Sequence, residues 1–341
     1  MSFRILLIDD SALSRRIVRD VVEEIPGVSV AGEAANGLEG LEMMERLRPD
    51  LAILDVEMPV LDGIRVLEER KARRLETPVL MLSVLTREGA DITFRALELG
   101  AIDFVPKPSA HMGFMVDQVE ALLKQKISEF VTSKRSSPFS PVLQQTGPQR
   151  RLQDFDLVLM GSSTGGPQSL HRIFRRLPAG FPLPICIVQH MPPVFTASFA
   201  ARLSSVSGIE VFEAEPDREL RPGQAIVARG GMHLAIRGSA SRLWVDIDDS
   251  PPIQAHRPSI DFTVRSAREV LGARILGIIM TGMGRDGVDG FRELHDAGGY
   301  VIAQDEATSV IFGMNRRAIE EGIVDRVLSD TEIADYLLEL Q

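Results

Sequence analysis

A chain of 341 residues is long for one domain and sufficient for two, each able to bury its own core. Apolar residues make up 44% and charged residues 25%, as in ordinary soluble proteins, and a formal net charge of -10 argues against binding nucleic acid or anionic membrane by bulk electrostatics. The one cysteine, Cys186, has no partner for an internal disulfide, and the opening run MSFRILLIDD is too short for a signal peptide, so a cytoplasmic protein without membrane insertion is expected.

From residue 3 to about 125, short apolar runs alternate with helical patterns. The candidate strands are RILLI, VSVAGEA, LAILD, PVLML and AIDFV. Ile17, Val18, Val21, Val22 and Ile25 mark one apolar helical stripe, and Leu38, Leu41, Met44 and Leu47 mark another. Such alternation implies parallel pairing in a doubly wound sheet, whose ligands bind beyond the carboxyl ends of the strands. At those ends stand Asp9 and Asp10, Asp55, Ser83 and Lys107. Three carboxylates packed together repel one another and call for a cation. An oxygen-lined site suits Mg²⁺, held by Asp9, Asp10 and Asp55. A carboxylate also accepts a phosphoryl group as an acyl phosphate, which makes Asp55 the natural phosphorylation site. Lys107 would neutralise charge on the transferred group, and the Ser83 hydroxyl would bond a phosphoryl oxygen.

The stretches LLIDDS, LAILDVEMPVLDG, MLS and DFVPKP resemble the receiver domain of bacterial response regulators. The resemblance implies a flavodoxin-like fold, phosphorylation of Asp55 by a sensor histidine kinase, and switch positions at Ser83 and Phe104 beside Lys107.

Residues 126–152, rich in Ser, Pro, Gln and basic residues, read as a linker with a helical start. The expected boundaries are 1–125 for the first domain and 153–341 for the second. In the second, DLVLM, PICIVQ, IEVFEA, ARILGIIM and GYVIAQ read as strands of a mostly parallel α/β sheet. The segment GQAIVARGGMHLAIRGSASRLWVDID reads as an insertion of antiparallel hairpins.

GSSTG (Gly161–Gly165) fits G-x-S-x-G, lying between an apparent strand and the helical pattern PQSLHRIFRRL. Ser163 would then be a nucleophile raised above the sheet. The alternative is a glycine-rich phosphate cradle, although that use favours G-x-G-x-x-G. A nucleophile needs a base and an orienting acid, and His190 ends the next strand while Asp286 follows another in IIMTGMGRDG. Backbone N–H groups of Thr164 and Met283 would supply an oxyanion hole. The order Ser163, His190, Asp286 is not that of the α/β-hydrolases. His256, in AHRPSID, is weighed as a substrate contact against a structural role.

GSSTGGP, VQHMPPVFTASFA, HRPSID and IIMTGMGRDG resemble the catalytic domain of chemotaxis protein-glutamate methylesterases. The resemblance implies hydrolysis of glutamate methyl esters and deamidation of glutamines on methyl-accepting chemoreceptors, without a cofactor in the catalytic half. From the two-domain order, the unphosphorylated receiver is expected to block access to Ser163 and phosphorylation of Asp55 to weaken that docking. Two other readings stay open on the residues alone: a nucleotide-binding or small-ester hydrolase domain under receiver control, and a catalytically inactive phospho-switched adaptor.

Overall fold

The computed structural model describes residues 2–84, 86–107, 116–135 and 150–340. The chain divides into two compact units, Met1–Ser136 and Ser137–Gln341. Among the described residues, no helix is long and apolar enough to cross a membrane.

In the first unit, β1 (Phe3–Ile8), β2 (Val28–Ala34), β3 (Leu51–Asp55), β4 (Val79–Ser83) and β5 (Asp103–Pro106) alternate with helices. These are α1 (Ala12–Glu23), α2 (Gly37–Leu47), α3 (Gly63–Ala72), α4 (Arg87–Glu98) and α5 (Val116–Arg135). The sheet has order β2-β1-β3-β4-β5 with every pair parallel, the flavodoxin-like doubly wound arrangement. Its inner strands read as unbroken apolar runs because helices cover both faces: Leu51 to Leu54 and Val79 to Leu82 are all buried. The loops leaving the carboxyl ends of β1 to β4 end in residues whose side chains cap the next helix, namely Ser11, Asn36, Asp62 and Thr86.

Two expectations need correction here. Leu38 does not join the buried stripe of α2 but is 44% exposed. That helix approaches its neighbours through glycines instead: a Cβ on Gly37 would stand 2.3 Å from the Leu61 carbonyl oxygen, and one on Gly40 2.7 Å from Ile8. The presumed linker also begins later than residue 126, since α5 continues to Arg135 with Ile127, Phe130 and Val131 buried. The polar composition hid a helix that still carries one apolar stripe. Residues 136–149 lie outside the described residues, and Arg150 already belongs to the second unit, bonding the Gly298 carbonyl.

The second unit begins with β6 (Leu157–Ser162), α6 (Gly166–Phe174), β7 (Ile185–Gln189), α7 (Pro193–Val206) and β8 (Glu210–Glu213). It continues through β9 (Arg218–Leu220), β10 (Gln224–Val227), β11 (His233–Ser239), β12 (Arg242–Asp248), α8 (Ile260–Leu271) and β13 (Ile275–Ile279). Then come α9 (Val288–Asp296), β14 (Tyr300–Gln304), α10 (Met314–Glu320), β15 (Arg326–Leu328) and α11 (Asp330–Glu339). Seven strands form one parallel sheet in the order β15-β14-β13-β6-β7-β10-β8. The chain starts at β6, winds outward through β7, then returns to lay β13 on the other side of β6. This reversal opens a crevice at the carboxyl ends of β6 and its neighbours.

The antiparallel insertion differs from the expected one by a strand. It holds β9, β11 and β12, and β10 lies instead between β7 and β8 in the parallel sheet. The cause is visible in the residues: Ala225, Ile226 and Val227 are consecutively buried, as in an interior parallel strand. By contrast β11 and β12 bury Leu234, Ile236, Leu243 and Val245 on one face, packed in the same core as α8.

Helix α8 lies close along α9 because Gly290 leaves room, a Cβ there standing 3.0 Å from Val264. Asp261 of α8, fully buried, accepts a hydrogen bond from the Gly290 N–H at 2.6 Å. Burial raises the Asp261 carboxyl from its ordinary 3.8 to about 6, against the Gly290 bond and with help from the nearby Asp286 charge. The folded state therefore holds a proton that the unfolded chain has lost, and stability falls as pH rises from about 4 to 6. Replacing Asp261 with Asn, which keeps an acceptor for Gly290, is expected to raise stability at pH 7 by up to about 3 kcal/mol and to leave it nearly unchanged at pH 3.5. Urea unfolding of the two proteins at both pH values reads this directly.

Candidate functional site

Each unit gathers chemistry at the carboxyl edge of its sheet. In the first, carboxylate oxygens of Asp9, Asp10 and Asp55 all lie within 4.8 Å of one another. Lys107 Nζ stands 2.6 Å from Asp55 Oδ2 and 3.3 Å from Asp9 Oδ1. Asp55 is fully buried, and its Oδ1 has no hydrogen-bond partner. Burial pushes the Asp55 carboxyl up to about 6 with a push from Asp9, although the Lys107 bond pulls the other way. Burial works to lower Lys107, but the bonds and charges of Asp55 and Asp9 prevail and raise it. Ser83 is buried beside this cluster, with its hydroxyl 2.6 Å from Thr93 Oγ1 on α4. Phe104, on β5, is buried as well.

In the second unit, register brings the site together. Ser162 on β6 pairs with Gln189 on β7, so Ser163 and His190 are the next residues out on adjacent strands. The ladder extends one step through the bond from His190 N–H to the Ser162 carbonyl at 3.0 Å. On the other side of β6, the loop after β13 carries Asp286 back to His190, with Asp286 Oδ2 2.7 Å from Nε2. The acid is thus on Nε2, and Nδ1 is buried without a partner. Relative to the chymotrypsin-type triad, the acid is on the other ring nitrogen, and Nδ1 is the nitrogen left uncommitted. No hydrogen bond joins Ser163 and His190 in this structure, and such bonds are often long before substrate binds.

Asp286 is fully buried and bound by more than His190. Its carboxylate accepts from Ser259 Oγ at 2.7 Å and from the N–H groups of Ile260 and Asp261 at 2.7 and 3.1 Å. It therefore occupies the N-terminus of α8, where unpaired N–H groups and the helix dipole favour an anion. Burial pushes its pKa up, but His190, Ile260 and Ser259 together hold it at about 2. The sequence carries a trace of this arrangement, Ser259 in HRPSID being a good N-cap. The backbone donors themselves have no letter.

The glycines of GSSTGG serve the protein's own packing. A Cβ on Gly165, where φ is +82°, would stand 2.5 Å from Val310, and one on Gly166 would lie 2.1 Å from Gln189 Oε1. Gln189 in turn bonds the Ser162 hydroxyl and the Ser163 carbonyl. The turn is filled from below by side chains, which removes the room a phosphate would need. The phosphate-cradle alternative therefore lacks its cradle.

Gly282 is a site residue that the sequence reading passed over. A Cβ there would stand 2.7 Å from the Ser163 Cβ and 2.8 Å from Met314 Sδ. Thr281, just before it, accepts from Ser163 N–H through its carbonyl and donates its hydroxyl to the Thr164 carbonyl. Among the described residues, the Met283 N–H has no acceptor. His256 does approach the site: its ring stacks on that of His190, centroids 3.9 Å apart and planes 5° apart.

Comparison with known proteins agrees with both halves. The response regulator receiver domain model matches residues 5–119, and the CheB methylesterase model matches residues 158–337. The chain is 41% identical to a protein-glutamate methylesterase/protein-glutamine glutaminase of Pyrococcus horikoshii, over 98% of this chain and 93% of that one. It is 40% identical to the protein of that name in Thermotoga maritima, over 99% of this chain and 98% of that one. The crystal structure of the Thermotoga maritima CheB methylesterase catalytic domain superposes with a TM-score of 0.53 at 44% identity, covering 55% of this chain and 99% of that chain. The chain therefore belongs to the protein-glutamate methylesterase family, in which a response-regulator receiver precedes a CheB methylesterase domain.

Proposed function

We propose that the second domain hydrolyses glutamate methyl esters, and deamidates glutamines, on methyl-accepting chemoreceptors through Ser163, His190 and Asp286. The observation that carries the reading is the 2.7 Å bond from His190 to a buried, ionised Asp286, at the strand end beside Ser163. Ser163 Oγ attacks the side-chain carbonyl carbon and passes its proton to His190 Nδ1. The N–H groups of Thr164 and Met283 receive the charge that develops on the carbonyl oxygen. His190 returns the proton to the leaving methoxide or amine, releasing methanol or ammonia. Water, deprotonated by His190, then cleaves the acyl-enzyme to glutamate and regenerates Ser163.

The first domain controls this reaction. Asp55 is the phosphorylation site, with a sensor histidine kinase as donor, and Ser83, Phe104 and Lys107 respond to the phosphoryl group. Asp9, Asp10 and Asp55 fit a Mg²⁺ ion, since their oxygens converge and Asp55 Oδ1 is buried without a partner. When bound, the ion would neutralise charge on the phosphoryl group being transferred. A carboxylate oxygen of Asp55 attacks the phosphoryl group, and Lys107 Nζ, 2.6 Å from Asp55 Oδ2, would offset charge there. No cofactor is assigned to the catalytic half. The receiver extends through α5 to Arg135, and the catalytic domain includes Arg150 onward. A cytoplasmic location is consistent with the one cysteine being buried and free.

The test is methanol release from methylated receptor membranes, with and without a small phosphodonor and Mg²⁺. Ser163→Ala is expected to lose at least about 10³-fold in rate. Asp55→Ala should keep basal release and lose only the stimulation by donor. Unchanged release from Ser163→Ala would remove the serine from the chemistry.

Gly282→Ala tests the floor beneath the nucleophile. The added methyl has to push Ser163 or Met314 aside, so kcat is expected to fall about 10²-fold, as for a misplacement near 1 Å. Near-UV circular dichroism should show the fold retained.

A further inference from the structure

His190 is fixed in its plane by one hydrogen bond, Nε2 to Asp286 Oδ2, because Nδ1 has no partner. A ring held at one nitrogen is free to tilt about that bond. Something else must keep Nδ1 available to Ser163, and the ring of His256 covers one face of His190 in parallel at 3.9 Å.

The segment carrying His256 is built for this placement. Ile253 and His256 bond each other in both directions, N–H to carbonyl, at 3.1 and 2.8 Å. The two residues between them, Gln254 and Ala255, both take left-handed backbone, with φ of +48° and +67°. A tight turn of this kind normally uses Asn or Gly, and side chains with a Cβ there are strained. Gln254 Nε2 also reaches Asp261 Oδ2 of α8, at 3.4 Å, tying the turn to the helix whose N-terminus holds Asp286. Strained backbone persists where its surroundings over-determine it, and it collects at functional sites.

We propose that His256 is a positioning residue for the catalytic histidine, its ring packed on His190 so that Nδ1 stays presented to Ser163. The proposal rests on reading Ser163, His190 and Asp286 as the catalytic set. It assigns His256 no proton and no contact with the receptor.

The experiment uses full-length wild type, His256→Ala, His256→Phe and Ser163→Ala, matched for thermal midpoint. Two rates are read: methanol release from methylated receptor membranes, and inactivation by a small fluorophosphonate that reports Ser163 reactivity without receptor docking. His256→Ala is expected to lower kcat and the inactivation rate together, about ten-fold, with KM for receptor unchanged, as follows from losing an aromatic stack. His256→Phe, which keeps a flat ring, should restore most of both. If His256→Ala slows receptor turnover but reacts normally with the fluorophosphonate, the ring contacts substrate and the proposal is wrong. If His256→Phe is as slow as His256→Ala, a polar role replaces stacking. Wild-type rates in His256→Ala also overturn it. Methanol release by Ser163→Ala would instead overturn the catalytic reading beneath it.

Discussion

A buried carboxylate must be either neutralised or surrounded by donors, and the second domain is arranged around the way Asp286 is surrounded. Taking an ion out of water costs several kcal/mol, so a lone Asp at this depth would keep its proton. Here the donors outweigh desolvation and hold the carboxyl at about 2. They come from two places: His190 beyond β7, and the first turn of α8 with its cap Ser259. One ion therefore fixes a helix end, a strand end and the loop after β13 relative to one another. The carboxylate that orients the His190 ring is the one that holds α8 in place, so orientation and stability have a common source.

The receiver meets the same electrostatic problem with the opposite outcome. Asp55 is equally buried, yet Lys107 is its main neutralising partner and Asp9 pushes against it, so its carboxyl rises to about 6. One of its oxygens is left without a hydrogen bond. An orienting acid benefits from being fully bonded, since its task is to stay charged and still. An acceptor of phosphoryl groups needs an uncommitted oxygen. The contrast between Asp286 and Asp55 follows from what surrounds each carboxylate, a helix N-terminus in one case and a second carboxylate with a lysine in the other.

Much of the architecture was legible because buried parallel strands leave continuous apolar runs and their carboxyl ends mark where ligands bind. Asp9, Asp55, Lys107, Ser163, His190 and Asp286 all stand out by that rule. What stayed hidden depends on contacts distant in sequence or on atoms without a letter. GQAIV looked like part of a hairpin because the glycines after it suggested turns, while its unbroken burial depends on neighbours at β7 and β8. Leu38 fitted the spacing of a stripe, but Gly37 and Gly40 set the face that α2 presents. The α8 N–H groups on Asp286 and the choice of Nε2 over Nδ1 are invisible at the level of residue type. The space above Gly282 belongs to Ser163, which lies more than a hundred positions away.

Glycine-rich turns after a strand are read too readily as anion cradles, and the decisive question is what fills the volume a Cβ would take. In a cradle that volume faces a ligand. Here it faces Val310 at Gly165, Gln189 and Ser162 at Gly166, and Ile260 at Gly161. Those contacts bring β6 against α8 on one side and seat the turn on the loop before α10 on the other. The turn is thereby compressed, and of its side chains it is Ser163 that stands over Gly282, at the crevice where β13 and β7 flank β6. The strand order then accounts for the unusual chain order of the residues. A sheet that starts at its centre and is extended to both sides places its first strand between a later neighbour on each flank. Ser163, His190 and Asp286, the proposed nucleophile, base and acid, follow one another in the chain for that topological reason.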